Sequence, residues 1–236
     1  MTFNVLLNKK QIADARRELK ERGLSFATPE WKQWLLRHRL LRGFRIGDEL
    51  KSWDVLKTVE FIEANTAKDA AVLDIGAYAS EVPLILHKLG RKNVSGVDLN
   101  PGLLDMPFSG AIDYRISNFM STPLPDSSFT AITAISVIEH GFEGEALSRE
   151  VSRLLKPGGF FIASMDYWPE KIPTNGINLF NMSWTIFAAG EIRSFIDLAR
   201  EHGLYPHGPL QFDGQDQPIS CLDRNYTFGW LVMQKQ

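Results

Sequence analysis

The chain has one cysteine in 236 residues, Cys221, which excludes an internal disulfide and any CxxC metal or redox site. That scarcity suits a reducing compartment, and the expectation is a cytoplasmic protein. No apolar run approaches the ~18 residues that a membrane span needs. The opening MTFNVLLNKK is too short in apolar residues for a signal peptide, so no membrane partner is expected. HxxH pairs and multi-carboxylate spacings are lacking too, and no metal is expected. A formal net charge of −2 and the lack of an aromatic-interleaved basic run give no reason to expect nucleic acid. There is no internal repeat and no low-complexity segment. What is left is an ordinary globular composition, long enough for one substantial α/β domain plus an appendage.

Charge is unevenly spread. Met1 to Lys57 holds thirteen Lys/Arg against seven Asp/Glu, an excess of six, so the remainder is net −8. Residues 1–65 read as a helical N-terminal cap, with helices over Lys9 to Arg22 (closed by Gly23), Glu30 to Leu41 (closed by Gly43) and Asp48 to about Ala64. Thr28 as cap with Pro29 following is a start signal, as is Asp48. The basic excess has two readings. It is a solvated helical face, or it is a lid whose Arg37, His38, Arg39 and Arg42 meet an acidic or phosphorylated substrate. Trp31, Trp34 and Trp53 fall at helical positions and are expected to pack the cap's core.

From residue 66 to 236 short apolar strands alternate with amphipathic helices. Ala71 to Gly90, AVLDIGAYASEVPLILHKLG, reads as strand, tight turn and helix. Such a unit points free backbone N–H groups into the crevice above the strand. Asn93 to Asp98 is a second strand, its acid 22 residues beyond Gly76. Ile112 to Ile116, the β-branched Phe129 to Ile138, and Phe160 to Met165 follow, the last after a Lys156-Pro157-Gly158-Gly159 turn. Helices are expected over Glu143 to Leu155 and Glu191 to Gly203, then strands near Leu204 to Phe212 and Tyr226 to Met233. This order predicts an α/β, Rossmann-like, mostly parallel seven-stranded sheet with a terminal antiparallel hairpin and a helical N-terminal cap.

Four matched places resemble the class I S-adenosylmethionine-dependent methyltransferase family. They are Leu73-Asp74-Ile75-Gly76, Gly96-Val97-Asp98-Leu99, the LPDSSF run from Leu124 to Phe129, and Leu154-Leu155-Lys156-Pro157-Gly158-Gly159. The resemblance implies S-adenosylmethionine as cofactor and S-adenosylhomocysteine as product. It implies cofactor contacts from Asp74, Gly76, Ala77, Tyr78, Asp98, Leu99, Asn118, Phe119 and Ser136, with Asp98 taking the ribose hydroxyls. The sequence departs from the family where Ala77, Tyr78, Ala79 and Ser80 stand in a loop usually richer in glycine, and where Asn118 replaces an acid. A left-handed turn at Ala79 costs more than at glycine.

Glu139 and His140 end the fourth strand at the mouth of the crevice. They read as a structural pair, or as catalytic groups acting as base or orienter on an acceptor hydroxyl. Asp166, Tyr167 and Trp168 follow the fifth strand and are the candidate substrate contacts; Trp184 and Phe187 form either a platform or an apolar plug. The expected function is methyl transfer to a small-molecule or glycan acceptor, at a hydroxyl. A catalytically silent binding protein of the same fold and an NAD-linked oxidoreductase are the alternatives, since a strand-tip acid also suits NAD.

Overall fold

A computed structural model describes residues 3–41 and 43–236. Arg42, one of the expected lid cations, lies outside the described residues. In chain order the strands are β1 (Phe3–Val5), β2 (Val72–Ile75), β3 (Val94–Asp98), β4 (Asp113–Ile116), β5 (Phe129–Ile135), β6 (Leu155–Tyr167), β7 (Asn178–Leu179), β8 (Met182–Ser183), β9 (Leu204–Pro206), β10 (Ile219–Cys221) and β11 (Arg224–Lys235). The helices are α1 (Lys9–Glu21), α2 (Glu30–Arg37), α3 (Ser52–Asn65), α4 (Val82–Lys88), α5 (Gly144–Leu154) and α6 (Ala189–Glu201).

The central sheet runs β1-β11-β6-β5-β2-β3-β4, with β9 and β10 also on β11. Pairings among β2 to β6 are parallel, as expected where helices separate strands. The apolar runs VLDI and FTAITAI sit between helical layers on both faces, which is why they lack strict polar alternation. One face packs the apolar sides of α1, α3 and α4, and the other those of α5 and α6. The strand order reverses at β2, so the crevice above the tips of β2, β3 and β5 is where a ligand is accommodated.

The structure departs from the sequence reading at several points. The sheet has nine strands rather than seven, because β1 and β10 were not foreseen. β1 hydrogen-bonds to β11 with Phe3 opposite Leu231, so the N-terminal segment is woven into the sheet. Leu6, Ile12, Val55 and Val59 share one core with Val72 and Ile162. β6 is assigned from Leu155, and the Lys-Pro-Gly-Gly turn is a bulge within it. Among the described residues α2 is the α-helix with no buried residue, and the expected helix to Leu41 stops at Arg37, with Arg39 at φ +56. Thr28 caps no helix; its hydroxyl accepts from Ile46 N–H. Trp31 and Trp34 are 65% and 51% exposed, so of the three cap tryptophans only Trp53 packs a core.

Candidate cofactor and acceptor site

The loop after β2 turns at Gly76, φ +72, where a Cβ would stand 2.3 Å from Cγ2 of Val137. Only glycine fits there. Ala79 takes φ +63, the left-handed conformation anticipated for it. Asp98 at the tip of β3 accepts from Tyr78 N–H at 3.1 Å on one carboxylate oxygen and from Asn100 N–H at 2.8 Å on the other. Each oxygen keeps a lone pair, and the side chain is half-exposed, so two further donors can be held. Leu99 is 57% exposed beside it. Asn118 uses its amide oxygen to accept from Met120 N–H, and Phe119 is partly buried on the opposite core.

Asp74 is buried. Thr133 donates to one of its oxygens, while the other makes no hydrogen bond of good geometry and has the Ser80 hydroxyl beside the carboxylate. Burial pushes its pKa up to about 7. A buried carboxylate beneath a glycine turn and a two-oxygen acceptor at the next strand tip fit a ligand carrying an ammonium group and a diol. The S-adenosylmethionine implied by the motifs carries both.

A roof crosses this loop. Gly47 N–H donates to Ala79 carbonyl at 2.8 Å, and the rings of Phe44 and Tyr78 meet edge to face at 6.2 Å. It is welded down by Arg16, whose guanidinium donates to both oxygens of Glu81 at 3.0 and 2.8 Å and to Ser25 and Ser52 hydroxyls. Phe26 N–H completes the Glu81 carboxylate at 2.8 Å.

A second cluster lies over the tips of β5 and β6. Ser136, at φ +54, presents its hydroxyl to Lys51 Nζ at 2.5 Å. Lys51 stands 3.7 Å from Asp166 and 3.8 Å from the centroid of Phe228. Asp166 also accepts from Trp184 Nε1 at 2.7 Å, and Asp54 accepts from Ser164 at 2.6 Å. Burial raises Asp54 to about 6 and lifts Glu139 well above the carboxylate range, the latter with help from Asp166. Burial also lowers the His140 pKa below its ordinary value. The β7–β8 hairpin fixes the Glu-His pair: Gly141 N–H donates to Ser183 carbonyl and Thr185 N–H to Glu139 carbonyl. Phe180 at its tip is 80% exposed and its ring lies 5.2 Å from that of His140.

The structure brings together Ser136, Glu139, His140 and Asp166 in one cluster, and Asp74, Gly76, Ala77, Tyr78 and Asp98 in another. Tyr167 is a correction. It is fully buried on the opposite face, stacked edge-on to Phe3, with its hydroxyl donating to Phe212 carbonyl. Alternation along β6 sends Asp166 and Tyr167 to opposite faces. Trp168 is half-buried, and a Cβ on Gly214 would touch its ring. Trp184 and Phe187 are buried, so neither is an open platform. Lys51, Asp54, Ser164 and Tyr226 were not singled out. Cavities of about 650 and 400 Å³, lined by Phe142 to Leu198 residues and by Lys57 and His207, lie elsewhere.

Fold and site together define a doubly wound domain with its crevice at the switch point above the tips of β2, β3 and β5. Residues 73–163 match a family model described as a methyltransferase domain. A sterol 24-C-methyltransferase of Neurospora crassa is 30% identical over 102 residues, covering 40% of this chain and 27% of that protein. A ubiquinone biosynthesis O-methyltransferase of Xanthomonas oryzae is 31% identical over 108 residues, covering 42% and 45%. The chain thus matches from about a quarter to half the length of these curated relatives. Geranyl diphosphate C-methyltransferase of Streptomyces coelicolor shares the fold, with a TM-score of 0.58 and 14% identity over 96% of this chain and 98% of that one. Over residues 73–163 the chain is thus similar to methyltransferase domains, and its fold is shared with a methyltransferase solved in complex with S-adenosyl-L-homocysteine.

Proposed function

We propose that the protein transfers a methyl group from S-adenosylmethionine to a hydroxyl of a small-molecule or glycan acceptor. The observation that carries the hydroxyl is His140. Its Nδ1 is buried without a partner and burial lowers its pKa, so the neutral imidazole is kept ready as a base. The cofactor, when bound, supplies a methyl group on a positively charged sulfur. Asp98 holds the ribose diol, Asp74 faces the ammonium end, and Gly76, Ala77 and Tyr78 form the loop beneath. Leu99, Asn118 and Phe119 flank the adenine side, and Ser136 closes the strand-five tip. His140 takes the acceptor proton as the acceptor oxygen forms its bond to the methyl carbon and the carbon–sulfur bond breaks. Glu139 orients the acceptor hydroxyl, and Asp166 and Trp168 hold the acceptor. The projecting part of the N-terminal segment, α2 with residues 43–51, serves as the lid.

Calorimetric titration with S-adenosylhomocysteine tests the cofactor half. Asp98→Ala is expected to cost roughly 1–3 kcal/mol of binding, because it removes hydrogen bonds to a charged acceptor. Unchanged affinity would leave Asp98 with only its loop-capping role. His140→Ala is expected to lower kcat about 10²-fold or more with that affinity kept. In the wild type, kcat/KM should fall as pH drops through a value under 6.5, where the base takes a proton. Turnover at the wild-type level in His140→Ala, measured at saturating cofactor so that protonation of Asp74 does not enter, would remove His140 from the mechanism.

A further inference from the structure

Among the described residues, two buried polar atoms of the strand-tip cluster have no partner, Glu139 Oε2 and His140 Nδ1, while Asp166 Oδ1 makes no hydrogen bond and has Lys51 Nζ at 3.7 Å. All sit in residues with little or no exposure of the group concerned, and leaving such atoms unpaired is costly. Both come from the segment after β5, beside Asp166 of β6, and among the described residues the cation paired with Asp166 is Lys51, from the turn that precedes α3. Its position is over-determined. Asp48 caps the turn by accepting from Leu50 N–H at 3.0 Å, and Asp54, one turn on, is tied to Ser164 of β6. The Lys51 ammonium is thereby delivered to Ser136 and Asp166 across 85 and 115 positions of chain.

The charges in this cluster select the ligand. Burial presses Lys51 to lose its proton, but Asp166, Glu139, Asp54 and Asp48 more than offset this, and its pKa lies above the ordinary value. A substrate ammonium would therefore meet a like charge at close range, and a substrate carboxylate or phosphate would meet Asp54 and Asp166. A neutral group escapes both penalties. Asp166 asks for donors while Lys51 offers only donors, so the neutral group must do both, which is what a hydroxyl does. Two or more hydroxyls are needed, because the unpartnered atoms sit on two side chains, Glu139 and His140, and Lys51 offers further donors. Phe180, exposed beside His140, gives the apolar face on which a ring's C–H groups rest.

We propose that Lys51 is an acceptor-binding residue, and that with Glu139 and Asp166 it selects a neutral polyhydroxylated acceptor of the sugar class. Asp54, which touches no acceptor, is a positioning residue acting through Ser164 and the Lys51 turn. This rests on the methyltransferase reading for the identity of the reacting hydroxyl, but not for the recognition of the polyol.

Saturation-transfer NMR separates the two. The full-length protein, with and without S-adenosylhomocysteine, is presented with glucose, mannose, galactose and rhamnose in one series and with ethylammonium and acetate in another. At least one sugar is expected to receive saturation, and neither ion is. Lys51→Met is expected to weaken the sugar signal at least tenfold, with Lys51→Arg recovering part of it. In both variants S-adenosylhomocysteine affinity stays within about twofold, which also reports a folded domain. Asp54→Asn is expected to weaken the sugar less than Lys51→Met does. Binding of ethylammonium or acetate in place of sugars, no binding of any sugar, or sugar binding untouched in Lys51→Met would each overturn the proposal. Failure of S-adenosylhomocysteine to bind the wild type would instead strike the methyltransferase reading and leave the sugar result to be judged alone.

Discussion

Arg16→Met is expected to destabilise the protein by about 3–5 kcal/mol, because it strands the Glu81 carboxylate in a dry interior. The side chains of Arg16 and Glu81 are 6% and 1% exposed, so water cannot replace the lost partner. In a domain of this size the melting temperature should fall by roughly 6 to 20 °C. Glu81→Gln should also destabilise the protein, since the amide keeps one acceptor for Phe26 N–H but leaves the buried Arg16 guanidinium without its counter-charge. The double change Arg16→Met with Glu81→Leu should recover part of the loss by replacing the ion pair with apolar packing. Recovery is incomplete because Phe26 N–H and the hydroxyls of Ser25 and Ser52 still lose partners. Urea unfolding followed by circular dichroism gives the midpoints, and amide exchange at Gly47, whose N–H is bonded to Ala79, reports the roof directly. If both single variants unfolded at the wild-type midpoint, the buried pair would contribute nothing to holding the N-terminal segment on the loop.

How much of this was legible in the sequence depends on how far apart the interacting residues lie. Asp74, Gly76 and Asp98 announce themselves because strand, turn and helix are local, and because a strand-tip acid sits at a spacing fixed by one βαβ unit. LPDSSF marked the family but not the chemistry. Its Ser127 and Ser128 N–H groups bond to Arg153 and Leu154 carbonyls at the start of β5, the end of the strand opposite the crevice. Arg153 ties that turn together through Leu124 carbonyl, Asp126 and Glu150. Lys51 and Asp54 carried no such signal. A lysine and an aspartate three residues apart on a helix look like a solvated face, and only the docking of α3 on β6 turns them inward. The same holds for β1, whose three residues acquire strand character from a partner more than 220 positions away. Tyr167 failed for the opposite reason: it was read from proximity in sequence to the strand tip, whereas the two-residue period of β6 sends it to the far core.

Gly76→Ala is expected to cost both stability and cofactor binding, through two causes that a second variant separates. The first is steric. The new Cβ would stand 2.3 Å from Cγ2 and 3.0 Å from Cγ1 of Val137, a stiff β-branched side chain that cannot swing its far end away. Forcing a methyl into such a place costs about 1–3 kcal/mol. The second is conformational, since φ +72 at this position costs an L-residue roughly 1–2 kcal/mol. Gly76 and Ala77 N–H groups both donate to Val97 carbonyl, so a shift of the loop also moves it against β3 and Asp98. Thermal unfolding should therefore show a loss of about 2–5 kcal/mol, the sum of the two causes. S-adenosylhomocysteine affinity should fall with it, because Tyr78 N–H and Asp98 are no longer held in register. Adding Val137→Ala removes the clash but leaves the backbone strain. The double variant should regain the steric share, apart from the packing that Val137 itself loses, and keep the deficit set by φ. A Gly76→Ala protein that melts and binds S-adenosylhomocysteine like the wild type would show that this loop does not form the floor of the cofactor site.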